Sequence, residues 1–135
     1  MAVSAVLFEG LEASKSEWTR LLDLSKANTV FLTPEWQRMW WDHFGSGSQL
    51  VLLLLQDDDG PLGLAPLAVQ DRTARFLGGT DLFDYHEFIV PEGRQCQFYE
   101  ALIDYVEHDT NWCVLRLESL RAGSSSLELL PVLAH

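Results

Sequence analysis

Four consecutive residues, Asp84, Tyr85, His86 and Glu87, form the densest group of side chains able to do proton chemistry. An imidazole held by a carboxylate can take a proton from an attacking amine or hydroxyl, and a tyrosine hydroxyl can hand one to a departing thiolate. On a strand, Asp84 and His86 point to one face and Tyr85 and Glu87 to the other, so one pair can line a cleft. The plainer reading is a polar strand mouth with Tyr85 half-buried and His86 exposed. A metal is not expected, because two ligands from one strand leave a coordination shell incomplete. Trp41 is the other candidate, since with Trp40 it offers a flat aromatic surface to a sugar or another acceptor. His43 and His108 sit near expected helix C-termini, where the dipole favours a cation, and need no further role.

Two glycine-bearing loops bear on phosphate binding. A nucleotide-type cofactor needs a strand followed by a turn whose amides meet the phosphates at a helix N-terminus. Residues 89–97 are the only suitable junction, and they carry one glycine, a proline and the carboxylate of Glu92, which repels phosphate. Residues 45–48 are richer in glycine but leave a helix and enter a strand, the wrong polarity for a cradle. The chain has no Gly-x-Ser-x-Gly elbow, Walker loop or His-Glu-x-x-His pair.

The elements that must position these residues follow from periodicity. Residues 2–8 read as a first strand. Ser14 and Glu17 have capping-box spacing, which predicts a helix to about Lys26 with Trp18, Leu21, Leu22 and Ser25 on one face and Asn28 as a stop. Thr33 as N-cap, Pro34 at the first helical position and Gly45 as terminator predict a second helix, with Trp36, Trp40 and Phe44 as its buried stripe and Trp41 off it. Residues 50–55 and 62–69 read as a hairpin reversing at 57–61. The run of aliphatics from Leu50 requires cover on both faces, and Pro66 marks a bulge or local splaying. Residues 75–77 and 85–90 are extended. Pro91 opens a helix whose apolar face is Phe98, Ala101, Leu102, Tyr105 and Val106, and alternation over 112–118 gives a last strand. The expected fold is α/β (α+β), a mixed and mostly antiparallel sheet with helices on both faces, in the order β-α-α-β-β-β-(β)-α-β.

Composition bounds the partners. The chain has 135 residues, 47% of them hydrophobic, which suits a single core. Nine basic against twenty acidic residues give a net charge of −11, so nucleic acid and anionic membranes are not expected as partners. Cys96 and Cys113 form no CxxC motif, and Cys113 reads as a buried thiol. With no basic leader and no apolar run long enough to span a bilayer, the expected location is the cytoplasm.

Trp18, the run from Thr29 to Trp36 (TVFLTPEW), Trp40, Trp41, Phe44 and Gly45, Gly63 to Leu67 (GLAPL), Phe76 to Gly78 (FLG) and Asp84 to Phe88 (DYHEF) occur in that order. This succession resembles the N-terminal half of the CelD-type acetyltransferase-like proteins of the GNAT superfamily, which are related in architecture to FemAB-type aminoacyl transferases. The resemblance implies a GNAT-like domain over 1–122, with 123–135 beginning the connection to a missing C-terminal GNAT-like half. It further implies that acetyl-CoA or another acyl-CoA is held mainly by that second half. The present half then shapes the acceptor side, with Trp41, Asp84, Tyr85 and His86 as candidate contacts and no cofactor-binding residue of its own. Two other functions stay open: an autonomous small N-acetyltransferase, and a non-catalytic module that pairs with another chain or with itself as a homodimer. An exposed sheet edge or apolar patch would favour the module.

Overall fold

In a computed structural model of the chain, residues 3–25, 32–77, 87–110, 112 and 114–116 are described. Their order is β1 (Ser4–Phe8), α1 (Leu11–Asp23), α2 (Pro34–Phe44), β2 (Gln49–Asp57), β3 (Gly60–Gln70), β4 (Thr73–Phe76), α3 (Gln95–Asp109) and β5 (Val114–Arg116). The strands lie in one sheet in the order β1-β2-β3-β4-β5. The first three pairings are antiparallel and β4–β5 is parallel.

The aliphatic run in β2 divides by parity between two cores, as alternation on a strand dictates. Val51, Leu53 and Leu55 join Phe98, Tyr99 and Leu102 of α3 on one face. Leu52 and Leu54 join Leu11, Trp18, Leu21 and Leu22 of α1 on the other. Helices therefore cover both faces of the sheet, as the continuous apolar run requires. Trp18 is fully buried, and its indole Nε1 donates to the Leu32 carbonyl at 2.7 Å, tying α1 to the segment that enters α2.

The expected hairpin is present, and the β-register shift lies between Leu55 and Gln56 rather than at Pro66. Both backbone groups of Leu64 bond Ile89, and the Pro66 carbonyl accepts from the Leu77 amide at 3.1 Å. The missing proline N–H thus points away from β2, to the place where β3 exchanges one neighbour for another, so no ladder bond is lost.

Two helix starts differ from the sequence expectation. α1 begins at Leu11 behind an extended Gly10, and the Ser14 hydroxyl, fully buried, donates to the Leu11 carbonyl at 3.0 Å instead of capping. Glu17 pairs with Arg20 instead of closing a capping box. Pro91 does not open α3, because it bridges Ser25 while the Glu92 amide donates to the Leu24 carbonyl at 2.9 Å. The helix starts four residues later at Gln95.

The stripe on α2 is also corrected. Pro34 and Gln37 are the buried positions, Trp36 and Trp40 are half-buried, and Phe44 is 57% exposed. Positions four apart drift by about 40° per step around a helix of 3.6 residues per turn, so Trp36, Trp40 and Phe44 cannot hold one line. Pro34, Gln37 and Trp41, spaced three and four apart, can.

Candidate functional site

Asp84, Tyr85 and His86 lie outside the described residues, as do Lys26, Asn28, Cys113 and the segment 117–135. The segment expected as a strand over 85–90 is described from Glu87 onward, and there it forms no named strand, only an isolated bridge from Ile89 to Leu64. Glu87 is 7% exposed, and its Oε1 accepts from the Phe88 amide at 3.0 Å. Phe88 faces the α3 core and Ile89 the α1 core. Alternation therefore puts Glu87 on the α1 side with Ile89.

Trp41 is half-buried against the α1-side core. Its ring lies over Gly45, where any side chain would collide with the indole. Thr33 Oγ1 accepts from the Trp36 amide at 3.3 Å, capping the helix that carries it. The rest of the Trp41 side chain is partly exposed.

The residues at 89–97 do not fit a phosphate cradle. The Glu92 amide is taken by Leu24, the Arg94 amide by the Pro91 carbonyl at 3.1 Å, and the Gly93 amide by Gln95 Oε1 at 2.9 Å. The Arg94 guanidinium points elsewhere: its Nη2 donates to Asp57 Oδ2 at 2.6 Å, lashing the start of α3 to the β2–β3 turn. The amides of residues 92–94 are thus all engaged within the chain and offer no donor to a phosphate group. The loop at 45–48 likewise closes on itself, with the Gly45 amide on Trp41 and the Ser48 amide on Gly45.

Asp57 is 3% exposed, and its carboxyl is held below its usual range. Burial alone would raise it. The Arg94 hydrogen bond and charge, with the amides of Asp59 and Gly60, outweigh that effect. His43 and His108 behave as helix ends predict, their Nδ1 atoms lying 2.8 Å and 3.0 Å from the carbonyls of Met39 and Asp104.

A cleft of about 390 Å³ opens on the other side of Asp57, between β1 and α3. Val3, Ala5, Leu55, Leu62, Ala101 and Tyr105 give it an apolar lining. Asp57, Glu100 and Asp104 add carboxylates to that lining. Sequence reading missed this cleft because those carboxylates come from two distant segments. The available signal was β1 itself, a strand without a charge or a proline. Among the described residues no three His, Cys, Asp or Glu side chains converge for a metal ion, and no helix is long and apolar enough to cross a membrane. Comparison with family models, with curated proteins and with solved structures gave no match to this chain.

Proposed function

We propose that the chain is the acceptor-side half of a two-half, GNAT-like acyltransferase resembling the CelD type, active on an amine or hydroxyl acceptor only when joined to its second half. What supports the reading is the element order, with α1 and α2 on one face of a mostly antiparallel sheet and α3 on the other, which is the layout the resemblance implies. The engagement of the 92–94 amides by the chain itself agrees with a donor held elsewhere. In this proposal Trp41, Asp84, Tyr85 and His86 line the acceptor side, acyl-CoA is bound by the missing half, and the protein works in the cytoplasm. Calorimetric titration of the 135-residue chain with acetyl-CoA tests it. No saturable heat is expected. Saturable micromolar binding would overturn the half-molecule reading in favour of an autonomous N-acetyltransferase, with residues 93–97 as the segment to mutate.

A second reading, a non-catalytic interaction module, is favoured by one observation. Leu7 of the edge strand β1 is 57% exposed, and Val3, just before the strand, is 50% exposed.

A further inference from the structure

β1 is the end of the sheet, so one row of its backbone N–H and C=O groups has no strand beside it among the described residues. Such rows are templates for another strand, and proteins blunt them with lysines, prolines, bulges or a covering element. β1 has none of the first three: its sequence is SAVLF, and it pairs with β2 without a register shift. The fourth is missing on one face. Val6 and Phe8 turn toward the α1 core, where they are partly buried. Val3, Ala5 and Leu7 alternate with them onto the α3 side, yet all three are exposed, because α3 covers β2 and β3 and stops short of β1. The result is a step: a bare strip of apolar sheet beside the wall of α3, continuous with the cleft over Leu55 and Leu62.

The charge on that wall selects the occupant. Glu100 and Asp104 face the cleft from successive turns of α3. Among the described residues no lysine or arginine lines the cleft, and the Arg94 guanidinium is engaged by Asp57. Two copies of this chain joined edge to edge at β1 would bring the acidic walls of both α3 helices together, which disfavours a second copy. An extended segment with basic residues alternating with apolar ones fits instead. Its backbone extends the sheet, its basic side chains fall on the α3 side with their aliphatic stems over Ala5 and Leu7 and their charged ends at Glu100 and Asp104, and its apolar side chains fall on the opposite side beside Val6 and Phe8. We propose that β1 and the adjoining cleft form a docking site for a basic, extended peptide segment, added as a sixth strand next to β1. This holds whether or not the chain takes part in acyl transfer.

The test uses a capped octapeptide of alternating lysine and valine, labelled for fluorescence anisotropy, and its glutamate–valine counterpart. The wild-type chain is expected to bind the lysine peptide saturably, more weakly as salt rises, and to ignore the glutamate peptide. Glu100→Lys should weaken binding by more than about tenfold, whereas Glu107→Lys, the same charge change on α3 outside the cleft, should leave it within about twofold. Leu7→Lys, at a position already exposed, should also abolish binding without lowering the melting temperature. Amide hydrogen exchange should slow in residues 4–8 when the peptide is bound. Failure to bind the lysine peptide, equal binding of both peptides, equal loss in Glu100→Lys and Glu107→Lys, or unchanged exchange in β1 would each overturn the proposal. So would sedimentation showing a dimer that Leu7→Lys converts to monomer, since that face would then belong to a second copy.

Discussion

Gly63→Ala tests how α3 is seated on the sheet. Gly63 lies in the middle of β3, paired with Leu55, and a Cβ built there would stand 2.5 Å and 2.8 Å from two ring carbons of Phe98 and 3.1 Å from the Ile89 carbonyl oxygen. Ordinary carbon contacts are about 3.5–4.0 Å, so the ring would have to retreat by about 1 Å. It has nowhere to go, because its centroid lies 5.5 Å from that of Phe88 and 5.3 Å from that of Tyr99, and all three rings are buried. Overpacking of this kind costs about 1–3 kcal/mol, whereas alanine in place of glycine in a strand interior gains about 0.5–1 kcal/mol. The expected net loss is about 1–2 kcal/mol, or roughly 5 °C in melting temperature for a domain of this size. Urea unfolding of Gly63→Ala, Phe98→Leu and the double variant measures it. Phe98→Leu should cost less in the alanine background than in the wild type, with a coupling of about 1 kcal/mol. A neutral or stabilising Gly63→Ala, or strictly additive single effects, would refute the claim that Phe98 fills the space left by the glycine.

Three further outcomes follow from contacts elsewhere in the fold. The Asp57 carboxyl is depressed in the folded protein, so its contribution is present above the ordinary carboxylate value and is lost as pH falls through the depressed one. Urea midpoints should decline over that acidic window in the wild type, while Arg94→Gln should be less stable at neutral pH and flatter there; parallel pH curves would count against the ion pair. Asp71 and Arg72 turn the β3–β4 hairpin at positive φ of 54° and 63°, so Arg72→Gly should raise stability by about 0.5–1 kcal/mol, and a thermal melt showing a loss would contradict the strain argument. Trp18→Phe leaves the Leu32 carbonyl without its indole donor in a fully buried place, and should cost about 2–3 kcal/mol in chemical denaturation; a cost under about 0.5 kcal/mol would mean that this bond does not hold α1 to α2.

The parts legible beforehand were those with a local cause. Thr33, Pro34 and Gly45 bound α2 because an N-cap, a proline at the first position and a terminator act within a few residues. The unbroken aliphatics of β2 required a sheet covered on both sides, and α1 and α3 provide that cover. Ser14 misled for the opposite reason. Its spacing to Glu17 is right for a capping box, but packing against the sheet draws its hydroxyl inward onto Leu11, and Gly10 starts the helix instead. Pro91 misled because its neighbours bond the end of α1, a contact between segments far apart in the chain.

The same division runs through function. The sequence by itself determined the element order, the two-sided core and the acidic character, since these depend on residue type and on periods of two and 3.6, and it offered Trp41, Asp84, Tyr85 and His86 as candidates. Only the tertiary structure decided that Arg94 serves Asp57 instead of an anion, that the 92–94 amides are engaged, and that β1, exposed on one face, ends the described sheet beside an acidic wall. Those facts rest on distances between residues tens of positions apart. Such distances follow from how the helices come to rest on the sheet, and no local pattern encodes them.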